Sequence, residues 1–75
     1  MQKAGTVVRV AQGLAVVQCP GPDHPDIGAE TVDEGLDVAG RIVDVFGPVD
    51  RPYLAVTPAN GRSLPGLLGA KLYVR

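Results

Sequence analysis

The longest strand-like pattern of apolar positions begins near the middle of the chain. Val and Ile dominate Ala39–Phe46, and Tyr53–Thr57 is β-branched and aromatic, a composition typical of β-strands. Gly47, Pro48 and Pro52 interrupt the pattern between these two runs. The segment is therefore predicted to be a β-hairpin. Its loop is predicted to be stiff, because each proline fixes its own φ and biases the residue before it toward extended backbone.

The first strand of this hairpin is apolar on both faces. Strict alternation points Val43 and Val45 to one face, and Ile42 and Phe46 to the other. A small core buries only one of these faces, so a second part of the chain or a partner covers the other. The pattern leaves both possibilities open. If Val43 and Val45 fill the core, Ile42 and Phe46 form an interaction surface.

Two Val-rich runs near the N-terminus predict a second hairpin. They are Gly5–Val10 and Leu14–Gln18, joined by a short connection in which Gly13 suits a left-handed backbone. The first run shares the pattern Gly-x-(Val/Ile)-Val-x-Val with Gly40–Val45, 35 residues later. Either the two runs mark related half-barrels, or Val-rich strands resemble one another by chance. A match of six residues favours chance.

The remaining segments are short. Cys19–Gly28 holds three prolines and two glycines and is predicted to be a surface loop. A short strand is expected near Ala29–Val32, followed by a tight turn at Asp33–Gly35. Ser63–Gly69 has room for one helical turn, and Lys71–Val74 alternates as a final strand should. These elements predict an all-β fold that closes, or nearly closes, into a small barrel.

Length and charge narrow the possible functions. The 75 residues fit one domain, 1–75, with a thin stability margin. Ten Gly and seven Pro among 45% hydrophobic residues indicate a turn-rich folded chain. Seven Lys and Arg against eight Asp and Glu give a net charge of −1, without the basic excess that non-specific phosphate binding requires. Nucleic acid is therefore not expected as a direct partner.

No residue pattern in the sequence favours catalysis, a metal or a cofactor. Cys19 is the only cysteine, which favours a reducing cytoplasm, and no Lys or Arg lies beside it to activate the thiol. His24 lies between Asp23 and Asp26 on a loop, where such a set is usually solvated rather than metal-binding. No phosphate-binding glycine loop and no apolar run of membrane-spanning length occurs.

Two charged residues of the central hairpin each have a functional interpretation. Asp44 either faces a basic partner residue or pairs within the chain with Arg9 or Arg62, and the internal pair is favoured. Arg51 is suited to bind a partner carboxylate in a fork geometry, and for this residue the functional interpretation is favoured.

The central hairpin and its flanks carry a specific combination of residues: Gly40, Asp44, Phe46-Gly47-Pro48, Pro52-Tyr53 and Val56, then Gly69-x-Lys71-Leu72-Tyr73, and at the start Gly5-Thr6-Val7. This combination resembles the signature of the glycine–arginine-rich (GAR) core subunit of H/ACA box ribonucleoproteins. It implies a small six-stranded split β-barrel, similar to domains of translation factors and reductases, that is not an enzyme. A related assembly-factor family shares the barrel and part of the motif.

The resemblance also implies a partner and a role. GAR core subunits bind the catalytic domain of a dyskerin-type pseudouridine synthase and assist substrate loading and product release in RNA-guided pseudouridylation of rRNA. Contacts with the guide RNA and rRNA are then indirect, and no membrane or cofactor is involved. The lack of Gly-Arg repeats favours the compact archaeal form, while Val32–Leu36 fits the family only loosely.

The predicted partner-binding surface lies at the tip of the central hairpin. Its members are Ile42, Phe46, Gly47, Pro48, Val49, Arg51, Pro52 and Tyr53. One alternative is an independent oligonucleotide-binding or translation-factor-like β-barrel, which should show more basic and aromatic residues than this chain has. Another is a small enzyme domain that uses Cys19 or His24, which would need a converging polar set that the sequence lacks.

Overall fold

The computed structural model describes all residues, 1–75, and shows six strands and one helical turn. The elements are β1 (Gln2–Ala11), β2 (Leu14–Gln18), β3 (Glu30–Val32), β4 (Val38–Phe46), β5 (Tyr53–Pro58), α1 (Leu64–Leu67) and β6 (Lys71–Val74). The strands close into a barrel in the order β1-β2-β5-β4-β3-β6, and every neighbouring pair is antiparallel. The predicted all-β, six-stranded barrel is confirmed.

The N-terminal hairpin forms as its turn residues predict. Gln12 and Gly13 both have positive φ, 54° and 76°, which is the backbone of the two-residue turn that matches the twist of a hairpin. β1 begins at Gln2 rather than at Gly5, because its first residues pair with β6. The helix α1 has four residues, so no helix of this structure is long enough to cross a bilayer.

The turn between β3 and β4 is organised by the carboxylate of Asp33. One oxygen accepts hydrogen bonds from the backbone N–H groups of Gly35 (2.9 Å) and Asp37 (3.1 Å), and the other accepts one from Arg62 Nη2 (3.1 Å). The Asp37 N–H is the main cause that lowers the pKa of Asp33, with Arg62 and Gly35 adding to it and partial desolvation opposing it. The predicted turn is confirmed, and Asp33 has a structural role in it.

The barrel interior is apolar, and its buried polar side-chain atoms all have hydrogen-bond partners. Its largest buried side chains are Ile42, Leu54, Leu67 and Leu72, with Leu67 contributed by α1. Thr31 is the one buried polar residue of this interior, and its hydroxyl donates a hydrogen bond of 3.0 Å to the Gly40 carbonyl. No buried side-chain polar atom lacks a partner, as expected for a stable core.

A β-bulge in β4 decides which of its side chains face inward. Ile42 pairs with Val56 while Asp44 pairs with the adjacent Ala55, so Val43 is an extra residue on its strand. Such an extra residue reverses the alternation beyond it, which places Ile42 and Val45 on the same side of the strand.

The bulge overturns part of the prediction from strict alternation. Ile42 is fully buried, and Val45 packs against the core beside it. Val43 and Phe46 are 43% and 41% exposed. The predicted positions of Val45 and Phe46 are therefore confirmed, whereas those of Ile42 and Val43 were wrong. The outer face of β4 therefore presents Val43 and Phe46 in place of Ile42 and Phe46.

The two segments that share a sequence pattern also share a local structure. In β1, Val8 is the extra residue of a bulge, as Val43 is in β4. A methyl group on Gly5 would overlap the Gln18 carbonyl, and one on Gly40 would overlap the Thr57 carbonyl. Each glycine thus allows a close backbone approach three residues before the bulge. The two segments differ in their glycines, since Gly5 has a φ of 146° and Gly40 has no positive φ. That the sequence match arose by chance stays a prediction.

Candidate functional site

The tip of the β4–β5 hairpin begins at an aromatic pair. Phe46 and Tyr53 are the last paired residues of the two strands, and their rings stack with centroids 5.7 Å apart and planes inclined by 22°. Gly47 follows with φ 88° and lies against the Tyr53 ring, where a Cβ would come within 2.7 Å of a ring carbon. Only glycine fits this position without moving the ring.

Two backbone hydrogen bonds hold the loop beyond the aromatic pair in place, and the tip of the loop is apolar. The Arg51 N–H donates to the Pro48 carbonyl at 3.3 Å, and the Pro52 carbonyl accepts a hydrogen bond of 3.0 Å from Cys19 N–H, just beyond the end of β2. Val49, which lies between Pro48 and Arg51, is 92% exposed. The structure therefore presents an aliphatic side chain on a loop whose ends are held.

The structure brings most of the predicted surface residues together, but two of them are inside. Phe46, Gly47, Pro48, Val49 and Arg51 are exposed, and Tyr53 is half-buried under Phe46. Ile42 is buried because of the bulge, and Pro52 is buried where the loop meets the residues after β2. The structure therefore buries two of the eight residues predicted for the surface, and which of the eight contact a partner stays a prediction.

A depression of about 260 Å³ separates the hairpin tip from the proline-rich loop. Its lining comprises Val45, Phe46, Gly47, Pro48, Val49 and Pro52 from the hairpin, with Pro22 and His24 from the loop. The sequence analysis treated Pro22 and His24 as part of a solvated loop. Because Gln18 at the end of β2 pairs with Tyr53 at the start of β5, the chain must leave β2 beside the hairpin tip. The strand order, once known, would have predicted this neighbourhood.

The charged residues around the site do not form the internal ion pair that was expected for Asp44. Arg62 forms the one ion pair of the structure, with Asp33 at 3.1 Å. Asp44 pairs with neither Arg9 nor Arg62, and one of its oxygens accepts a hydrogen bond of 2.8 Å from the Val45 N–H. The favoured internal pair of Asp44 was therefore wrong. Arg51 is exposed and has no ion-pair partner within the chain.

The arrangement is suited to binding. Cys19 is fully buried, and this burial raises the pKa of its thiol, which lowers its reactivity. No group of three or more His, Cys, Asp or Glu side chains lies close enough together to hold a metal ion. The hairpin tip, by contrast, combines exposed aromatic and aliphatic groups with a free guanidinium, a composition typical of the central residues of protein interfaces.

Comparisons with known proteins bear on the fold. No protein-family profile matches the sequence, and no curated protein matches it. Among solved structures, the barrel is similar to the structure of the Gar1 domain of NAf1, with a TM-score of 0.75 and 17% sequence identity. The similarity covers 97% of this chain and 79% of that chain. At this identity the likeness concerns the fold alone, and the chain has a Gar1-like β-barrel fold.

Proposed function

We propose that this chain is a non-catalytic protein subunit of an H/ACA ribonucleoprotein and that it binds the catalytic domain of a dyskerin-type pseudouridine synthase. Two findings support the proposal. The fold is Gar1-like over 97% of the chain. The residues that resemble the GAR signature most densely, Phe46 to Tyr53, form the exposed hairpin tip.

The observation that carries the proposal is the exposure of apolar groups on this tip. Val49 is 92% exposed and Phe46 is 41% exposed, at the tip of a hairpin whose strands contribute Ile42, Leu54 and Val56 to the closed core. Exposed groups of this kind on a stiff loop lose little conformational freedom when a partner covers them. Phe46 is the anchor of the contact, Val49 extends it, and Arg51 lies at its rim.

The role that follows is an accessory one. Through its contact with the synthase, the subunit assists substrate loading and product release during pseudouridylation of rRNA, as GAR core subunits do. The guide RNA and rRNA are held by other components, in keeping with the net charge of −1. We further propose an archaeal origin for the chain and action in the cytoplasm.

The direct test is reconstitution without RNA. The purified chain is mixed with the nuclease-treated dyskerin-type synthase from the same genome, and the mixture is resolved by size-exclusion chromatography with light scattering. A complex of the two proteins is expected before any RNA is added. A complex that requires guide RNA would contradict the proposal.

The isolated chain provides the second arm of this test. Its binding to generic RNA at physiological salt is expected to be no tighter than about 10⁻⁶ M, the usual limit of non-specific binding. A sub-micromolar affinity for RNA, together with no affinity for the synthase, would favour an independent oligonucleotide-binding barrel instead.

A further inference from the structure

The outer face of four neighbouring strands carries a straight row of paired residues. Arg9 of β1 pairs with Val16 of β2, Val16 pairs with Ala55 of β5, and Ala55 pairs with Asp44 of β4. The row therefore runs from a cation at one end to an anion at the other, across two small apolar side chains. Its ends are three strand spacings apart, about 14 Å at ~4.8 Å each.

The middle of this row is a depression bounded by apolar groups. It has a volume of about 490 Å³ and is lined in addition by Ala11, Gln12, Leu14 and Phe46. Val16 and Ala55 form its floor and are 7% and 6% exposed. Beside its charged ends, the two bulge residues Val8 and Val43 are 45% and 43% exposed. The face thus resembles a small interface, with an apolar centre and a charged rim.

The charges at the two ends of the row are not used within the chain. Arg9 forms no side-chain hydrogen bond and no ion pair, since the only ion pair joins Arg62 and Asp33. Asp44 accepts one hydrogen bond through one oxygen, from its neighbour Val45, and its other oxygen is free. The row therefore offers one unpaired charge of each sign.

The arrangement is complementary to itself. A second copy, turned by 180° about an axis that lies in the interface at right angles to the row, places its Arg9 over Asp44 and its Asp44 over Arg9. The same rotation places the two depressions opposite each other, with the exposed Val8 and Val43 beside the charged ends. The ion pair between Arg9 and Asp44 therefore forms twice, as a two-fold symmetric interface requires.

We propose that a second copy of this chain docks on this face to form a symmetric homodimer. The contact area is limited to four short strands, so the dimer belongs to the weak class of interfaces, below about 1,200 Å² in total, and forms at high protein concentration. The proposal rests on strand register and charge, and it stands or falls separately from the proposed function.

The test is sedimentation equilibrium of the full chain from about 10 to about 500 μM, the range that suits a weak interface. The wild-type chain is expected to form a dimer. Arg9→Asp and Asp44→Arg should each weaken the dimer by at least about tenfold, because each substitution replaces two attractive pairs by two repulsive ones. An equimolar mixture of the two variants should restore it, since every acidic end then faces a basic one. The double variant Arg9→Asp/Asp44→Arg should restore it within one chain.

Matched controls carry the same charge changes elsewhere on the barrel. Lys71→Asp and Glu34→Arg alter exposed residues that form no ion pair and lie outside the row, and they should leave the dimer unchanged. Circular dichroism melts confirm that each variant is folded. A chain that stays monomeric up to about 500 μM would overturn the proposal, since even weak interfaces associate in that range. The proposal would also be overturned if neither charge reversal weakened the dimer, or if the mixture of the two variants did not dimerise.

Discussion

Single glycine residues allow the close approach of neighbouring strands in this barrel. Gly40 lies so close to the Thr57 carbonyl that a methyl group would overlap it. Gly40→Ala is therefore expected to lower the free energy of unfolding by about 2 kcal/mol or more, as overpacking a rigid site does. Urea denaturation measures this. Gly21→Ala is the control, because nothing lies within 4 Å of its Cβ position, and it should change stability by less than about 0.5 kcal/mol.

Asp33 makes the stability of the fold depend on pH. Its pKa is lowered in the folded chain, chiefly by the Asp37 N–H, so the folded state favours the ionised carboxylate more than the unfolded state does. The resulting stability is fully present above the unfolded pKa of about 3.9 and is lost as pH falls through the lowered folded value. The free energy of unfolding, measured by urea denaturation between pH 7 and pH 2, should therefore decrease less with falling pH for Asp33→Asn than for wild type. Parallel curves would contradict this role.

At the scale of elements, turn chemistry and apolar runs were sufficient to place every strand. Gly13 takes the positive φ that was predicted for its turn, whereas the positive φ of Gly47, 88°, was not predicted. The strands begin or end within a few residues of the predicted bounds. The bulge in β4 was not predicted, because strict alternation along a strand has no place for an extra residue. The approach of Pro22 and His24 to the hairpin tip depends on strand order, which the sequence shows only indirectly.

In β4, Ile42 faces the core and Val43 faces outward, and this difference can be tested by substitution. Ile42→Ala should lower the free energy of unfolding by about 2–4 kcal/mol, because it leaves a cavity in the closed core. Val43→Ala, next to it but 43% exposed, should cost less than about 1 kcal/mol. Chemical denaturation of the two variants distinguishes a strand with the observed bulge from one with regular alternation. Equal losses, or a larger loss at Val43, would contradict the observed register.

For the whole molecule, closure of the barrel distinguishes core from contact surface. β6 lies between β1 and β3 and removes the last free edges, as the alternation of Lys71–Val74 had predicted. Nine large apolar residues remain exposed outside the closed core, among them Phe46 and Val49 of the hairpin tip. The hairpin tip is the place where they coincide with the sequence signature, so the proposed function depends on that tip.

The most direct test of the central claim is the affinity of hairpin-tip variants for the synthase, measured by titration calorimetry without RNA. Phe46→Ala should weaken binding by about 2–4 kcal/mol, and Arg51→Ala by less. Val49→Asp should weaken it strongly while leaving the melting temperature unchanged, since Val49 is 92% exposed. Leu68→Ala, at a residue 58% exposed beside α1, should bind as the wild type does. Wild-type affinity of both Phe46→Ala and Val49→Asp would show that the synthase does not bind at the hairpin tip.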